Sequence, residues 1–525
     1  MAYDYIVIGA GSAGCVMANR LSEDGHTVLL LEAGTPDKKT EVKIPAAFSA
    51  LFKTEVDWNY ETTPQPELKN RKIYTPRGKM LGGSSSINAM IVQRGHPNNY
   101  NQWAEMGNES WSWDDCLPYF KKLENNERFT SGIHGQGGPL NVTDLRDPNE
   151  ISQAFVQAAQ EAGFGHRADF NDGEQIGFGL FQVSQKDGQR HSAATAYLVP
   201  ALGRSNLHVE TEAQVTTLTF DGKTCTGVAY NHGGQAKTAT VTKEVILCGG
   251  AINSPQLLML SGIGPAGHLQ DMGIEVLLDL PGVGQNLIDH MSMLVGFHSK
   301  QPITLAKAES LVNLAKFLLF KKGMLTSNVG EAGGFLQLRK DAPVPDLQYH
   351  FGPTHFVNHG FGNPDGHGIS MGPTLVYPKS RGEIKLASND PFAPPIIDPR
   401  YLSDPDDLEV LLEGVKIARK IAHSPALAPY IGEEYIPGEK VTTDDELRDA
   451  IREHVETIYH PVGTCKMGSD PMAVVGDDLR VHGIQGLCVV DASVMPMIPN
   501  ANTNIPTMMV AEKAADMVKN TSTVM

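Results

Sequence analysis

Six residues near the N-terminus carry the first chemistry that can be read: Gly9-Ala-Gly-Ser-Ala-Gly14. A G-x-G-x-x-G run holds a dinucleotide when a strand precedes it and a helix follows. Gly9 then permits the tight turn, and Gly11 lets the backbone approach a pyrophosphate. Gly14 lets helix and strand pack closely. The phosphates sit on the helix N-terminus, with Ser12 and Ala13 in its first turn. Eighteen residues past Gly14 stands Glu32, followed by Ala33. A carboxylate there accepts hydrogen bonds from a ribose diol and repels a 2′-phosphate, so an NADP-type ligand is disfavoured. A second match, Gly262-Ile-Gly-Pro-Ala-Gly267, is a decoy. It follows a helical pattern, and Pro265 removes a backbone donor from the would-be cradle. One fingerprint argues against a scheme in which NADH reduces a separate flavin, but it does not separate NAD from FAD.

The elements that must position these residues read as strand, glycine turn, helix, strand. Tyr5-Ile-Val-Ile8 is a short apolar run ended by glycine, Ser12 to Ser22 is helix-compatible, and Thr27 to Leu31 is a second buried strand. This is a βαβ unit on a parallel sheet. Further strands are expected at 206–210, 213–220 and 243–247, with a Gly249-Gly250 turn and a helix from Ser254 to Leu260. Residues 75–97 form a loop rich in glycine and serine. Residues 98–125 read as helical, with Trp103, Trp111 and Trp113 as packing residues. From 300 to 450 the chain changes character: prolines, a strand at 346–351 and an amphipathic helix from Leu408 to Ala422 indicate a separate substrate-side domain.

The bulk numbers exclude some classes. With 43 Lys and Arg against 60 Asp and Glu, the formal charge is −17, whereas nucleic-acid binding needs a basic surface. The six cysteines form no CxxC pair and no zinc-like spacing with histidine, so buried thiols in a reducing compartment are expected and no metal site. The buried strand begins at Asp4, so no signal peptide is expected, and no run of 18 uncharged apolar residues suggests a membrane span. A cytoplasmic location follows as an expectation.

Several other segments share one pattern. Gly78-Lys-Met-Leu-Gly-Gly-Ser-Ser-Ser-Ile-Asn88 resembles the first signature of the glucose–methanol–choline (GMC) oxidoreductases, and Gly250 to Gly264 resembles the second. Tyr459-His-Pro-Val-Gly-Thr-Cys465 and the stretch from Asp491-Ala-Ser to Pro506 look like the C-terminal active-site segments. Asn286 to His290 and Pro378 to Gly382 also fit. The resemblance spans nearly the whole chain, and the subgroup it looks like is the choline dehydrogenase-like alcohol dehydrogenases. Val92 departs from the first signature, which usually has an aromatic residue or alanine there. Some relatives attach FAD through a histidine where this chain has Ile87, so that covalent linkage is not available.

The resemblance implies an α/β fold: a Rossmann-like FAD-binding domain with an interleaved α+β substrate-binding domain on an antiparallel sheet. The first would take residues 1–150, 190–298 and 455–525, the second 151–189 and 299–454. It implies non-covalent FAD, with Gly9, Gly11, Gly14 and Glu32 on the ADP half and Val215 contacting adenine through its backbone. Gly83, Asn88 and Ala89 would lie along the isoalloxazine loop, with Asp491, Ala492 and Thr503 also at the cofactor. A glycine- and serine-rich loop presents amides to phosphate and flavin oxygens without steric cost. Taken alone, the same stretch reads as an ordinary loop.

Oxidising an alcohol requires the hydroxyl proton and a hydride to leave one carbinol, so a base is needed at the oxygen. An imidazole, with an unperturbed pKa near 6.5, suits that task. The resemblance places His460 there, over flavin N5, although any one of 18 histidines taken alone reads as a surface or core residue. The matching partner is Asn502, whose N–H can stabilise a developing alkoxide. Asn500 and Asn504 compete for that role, and Pro499-Asn-Ala-Asn502 also reads as a plain turn. A helix from Ile505, with Pro506 in its first turn, would aim its positive end at the anionic reduced flavin. Glu331 is a tentative substrate residue, since choline-oxidising relatives have a similar glutamate. The alternative is a buried structural carboxylate.

The expected reaction is oxidation of a primary alcohol to an aldehyde, with a quinone or other non-oxygen acceptor. An oxygen-reactive oxidase and a hydroxynitrile lyase-like enzyme are the alternatives. A photodecarboxylase and a non-enzymatic flavin protein are weaker ones. The segment Leu311 to Lys322 is apolar with a basic end, which reads as a lid over the cavity or as a peripheral contact with the inner membrane.

Overall fold

Tyr5–Ile8 and Val28–Leu31 are apolar along their whole length because layers cover both faces of the sheet they enter. The computed structural model describes residues 2–521 apart from Ser131, Glu309 and Asn363; residues 522–525 of the last expected segment lie outside the described residues. Strand Ala2–Ile8 pairs in parallel with Val28–Leu31 on one side and with Gln235–Leu247 on the other. The helix Ser12–Glu23 crosses between the first two strands, as the βαβ reading requires.

This seven-stranded sheet is parallel on one flank and antiparallel on the other. Leu207–Glu210 extends the parallel flank beyond Val28–Leu31, and Leu487–Val489 joins Val245–Leu247 in parallel. The start of Gln235–Leu247 instead pairs antiparallel with Thr224–His232, which pairs with Ala213–Asp221. The sequence reading misses Thr224–His232 and shortens the strand after it. Both carry many polar, half-exposed residues, so their apolar signal is weak. The core of this half packs Val16, Met17 and Leu21 of the first helix against Met508 and Met509 of the C-terminal helix Asn504–Thr521.

Residues 98–125 are not one helix. Gly107 takes φ +95 and ends Pro97–Glu105, and Ser112 caps a new helix at Trp113–Leu123. Trp103 and Trp111 are fully buried and Trp113 is half-buried, as packing residues should be.

A second seven-stranded sheet is antiparallel. Its strands run Ala332–Leu336, Leu347–Gly352, Gly368–Leu375, Met291–Ser292, Glu456–Thr457, with Val295–Ser299 bridging Gly368–Leu375 to Ile431–Ile436. Met291–Ser299 and Glu456–Thr457 hydrogen-bond into this sheet, so the boundaries read at 298 and 455 cut through it. Short strands beside glycine-rich sequence give little signal of which sheet they join. The helix Pro405–Ala422, capped by Asp404, covers the sheet with Leu408, Leu411, Val415, Ala418 and Ile421.

Candidate active site

A cavity of about 380 Å³ is walled by residues of both sheets and by the loops between them. At one end Gly9, Gly11, Ser12 and Ala13 form its wall, with Glu32, Ala33 and Val215 beside them. Gly9 takes φ +93, and a Cβ there would meet the Cys248 carbonyl at 2.6 Å. A Cβ at Gly14 would lie 1.8 Å from the Gly9 carbonyl oxygen, so Gly14 serves by close packing and does not itself line the cavity. A Cβ at Gly11 would meet nothing within 4 Å, which leaves room for a phosphate against the backbone. The Glu32 carboxylate accepts from Ala10 N at 2.7 Å and Gly34 N at 2.8 Å. Burial raises its pKa to about 7, against those two hydrogen bonds.

The loop Gly78 to Asn88 also lines the cavity, with Gly78, Gly83, Ser84, Ile87 and Asn88 in its wall. Gly83 takes φ +51, and a Cβ on it would sit 2.7 Å from Gly11 Cα, so the loop rests directly on the fingerprint turn. Asn88 Oδ1 accepts from Arg190 Nη1 at 2.8 Å and Met90 N at 3.0 Å, which fixes this wall beside Ala89. On the other side Asp491 accepts from Gly250 N, Ser254 Oγ and Ser493 N at 2.8, 2.5 and 2.8 Å. Asp491, Ala492 and Thr503 all reach the cavity. The decoy glycines 262, 264 and 267 are not among its wall residues; Pro265 instead precedes a short helix, Ala266–Asp271.

The far end collects the histidines. His460 Nε2 lies 3.3 Å from Asn502 Nδ2, and His460 Nδ1 lies 3.0 Å from His290 Nδ1. With the Asn502 amide donating to Nε2, the ring proton belongs on Nδ1 and donates to His290. Nε2 then keeps its lone pair on the Asn502 side. Gln348 Nε2 donates to Asn502 Oδ1 at 3.4 Å and orients that amide. His350 faces the cavity from the same strand and contacts Thr374 Oγ1 at 3.1 Å. Asn500 is buried against Gln175 and Pro345, away from the cavity wall, whereas Asn504 joins Ser12 Oγ at 2.6 Å.

A backbone device holds His460. Asp289 Oδ1 accepts from His460 N at 2.8 Å and His290 N at 2.9 Å. Its Oδ2 accepts from Tyr401 OH and Thr457 Oγ1, both at 2.6 Å. Tyr459 takes φ +72, a strained value for an aromatic residue, and is held by Arg77 Nη1 on its carbonyl at 2.8 Å. Burial drives the His460 pKa well below its ordinary value, and the nearby His290, His350 and Arg77 push the same way. Burial also lowers His290 to about 3 and His350 to about 4. All three rings are therefore neutral near pH 7, the state in which an imidazole can accept a proton.

Glu331 is corrected. Its carboxylate accepts from Asn149 N at 2.8 Å, Ser152 Oγ at 2.7 Å and Ser327 Oγ at 2.5 Å, and it is not a wall residue of the cavity. It ties the loop before strand Ala332–Leu336 to helix Glu150–Glu161, the buried structural alternative. The sequence reading does not single out His350, His290 or Asp289 as individual residues. The polar Gln348 and His350, alternating on an apolar strand, are a signal that could have found one of them. Among the described residues no group of three His, Cys, Asp or Glu side chains could hold a metal, and no helix is long and apolar enough to cross a membrane. All six cysteines are free and buried.

The C-terminal helix Asn504–Thr521 starts at the cavity, with Asn502, Thr503, Asn504 and Thr507 in the wall. The residues thus fit FAD: a phosphate-sized gap over Gly11, a ribose-reading carboxylate at Glu32, and a second helix start at the chemistry end.

Comparison with known proteins agrees with this geometry. The family model described as GMC oxidoreductase matches in two parts, residues 3–292 and 378–511. The chain is 46% identical to the alcohol dehydrogenase [acceptor] of Pseudomonas putida, over 98% of this chain and 95% of that one. It is 43% identical to the oxygen-dependent choline dehydrogenase of Rhizobium rhizogenes, over the same shares. Among solved structures it is similar to a formate oxidase of Aspergillus oryzae studied for its FAD modification, with a TM-score of 0.93 and 28% identity, covering 100% and 99% of the two chains. The chain belongs to the GMC oxidoreductase family, and it is an FAD-dependent oxidoreductase.

Proposed function

We propose that this enzyme oxidises a primary alcohol to its aldehyde and passes the electrons to a quinone or another non-oxygen acceptor. The observation that carries the reading is the pair His460 and Asn502, whose polar atoms meet at 3.3 Å in the wall of the same cavity that Gly9, Gly11 and Glu32 line. The Gly9–Glu32 and Gly83–Ala89 walls would hold FAD non-covalently, and the flavin would supply a hydride acceptor there.

His460 Nε2 takes the hydroxyl proton once the substrate hydroxyl replaces the Asn502 N–H at its lone pair, because the ring is neutral and Nδ1 carries the proton shared with His290. Asn502 donates its N–H to the oxygen as negative charge develops there. Asp289 keeps the imidazole in place by holding its backbone amide. Phe48, Phe52, Val329 and Phe356 form an aromatic and aliphatic wall that reaches Tyr459, next to the base. With Glu331 sealed by three donors, this wall suits an alcohol with an apolar body.

The alcohol dehydrogenase [acceptor] of P. putida supports an alcohol donor and a separate electron acceptor by its name, while the oxygen-dependent choline dehydrogenase and the formate oxidase show that oxygen-using enzymes share the family and the fold. Anaerobic stopped-flow reduction with a panel of alcohols tests the reaction. Bleaching of the flavin by apolar primary alcohols is expected, and no bleaching with any alcohol would sink the reading. Stoichiometric peroxide in air would replace the dehydrogenase by an oxidase.

A further inference from the structure

The helix Leu311–Phe320 buries one side chain, Phe317. Leu311, Val312, Leu318, Leu319 and Phe320 are 83, 65, 55, 73 and 65% exposed. A helix on a water-facing surface normally turns polar residues outward. Five large apolar side chains on one ten-residue helix make a patch of the kind that marks an interaction surface. Phe317 anchors the helix in a small core with Ile44, Leu305 and Leu325. That core also touches Val329, a wall residue of the cavity. The apolar patch thus lies outside the substrate end, one layer of side chains away.

Its charge is opposite to that of the molecule. The chain carries −17 overall, yet between Glu309 and Glu331 there is no acidic residue, while Lys316, Lys321 and Lys322 fall on the helix and just after it. Lysine stems can lie along apolar surface while their heads reach outward to anionic groups. An isologous contact between two copies would set these same lysines against each other, which disfavours a dimer through this face. A bilayer surface offers both an apolar layer for the leucines and anionic headgroups for the lysines.

We infer that Leu311–Phe320 is an interfacial docking helix that seats the substrate side of this enzyme on an anionic lipid surface. The inference rests on the surface alone and does not depend on which alcohol is oxidised. FAD-loaded enzyme is sedimented with vesicles of phosphatidylcholine alone and of phosphatidylcholine with phosphatidylglycerol. The expected result is about ten-fold more protein on the anionic vesicles, reduced by salt. The double variant Leu319→Glu/Phe320→Glu should lose that binding and keep its turnover of a water-soluble alcohol. The triple variant Lys316→Glu/Lys321→Glu/Lys322→Glu should lose the preference for phosphatidylglycerol with the same turnover. Failure of the wild type to sediment with either vesicle overturns the inference, as does binding that neither variant weakens. Sedimentation velocity provides the remaining outcome: a dimer that the double variant splits, with no vesicle binding, assigns the face to a second copy and overturns it too.

Discussion

The two ends of the cavity are built by opposite means. The nucleotide end is backbone work from one continuous stretch, residues 9–33, in which the glycines matter for what they lack. The chemistry end is side-chain work from distant segments, with His290, His350, His460 and Asn502 meeting only in the folded chain. At the first end, geometry tolerates no added atoms at Gly9 and Gly14 and keeps the space over Gly11 free. At the second, it is electrical state and hydrogen-bond direction that decide function. Binding and turnover should therefore fail separately.

The largest effect should come from His460→Ala. The anaerobic rate of flavin reduction should fall by about 10²–10⁴-fold while the FAD absorbance of the purified protein is kept. Loss of FAD in this variant would break the contrast between the ends. Asn502→Ala should slow the same step by about 10²–10³-fold, again with FAD retained. Gly83→Ala reverses the pattern, since a Cβ would press on Gly11 Cα at 2.7 Å at a positive φ. FAD affinity should drop by about 10–100-fold, read by fluorescence titration of the apoprotein, with a nearly normal reduction rate once loaded.

Smaller effects sharpen the comparison. Glu331→Gln should lower stability by about 1–3 kcal/mol in denaturant unfolding, because a buried set of donors loses its carboxylate. The ratio of kcat/KM for cationic and neutral alcohols should not move. The smallest expected change is in pH. A base whose pKa lies well below 6.5 stays neutral as the solution is acidified through that value. The reduction rate should then stay within about twofold from pH 8 to pH 6.5 and fall only at lower pH. Half-maximal reduction at or above pH 6.5 would show that the burial of His460 does not set its titration.

The same asymmetry explains what could be read in the chain. Gly9 to Glu32 were legible because strand, turn, helix and carboxylate are local and each has a spacing rule. His460 and Asn502 were reached through the resemblance of their segments, not through any rule of spacing. Glu331 is ambiguous in sequence because a glutamate near a glycine-rich turn reads the same whether it faces a cavity or is sealed by Asn149, Ser152 and Ser327. Asp289 was invisible as an individual because its task is to hold two backbone amides, which leaves no pattern of residue types. A domain boundary near 298 is hard to read because two- to five-residue strands at 291–299 bear no mark of the sheet they join.

Ser12 and Asn504 share a 2.6 Å hydrogen bond across 492 positions of sequence. The fingerprint turn therefore lacks part of its cavity wall until the helix Asn504–Thr521 has docked. The nucleotide turn is thus finished by a residue that lies almost the whole described chain away from it.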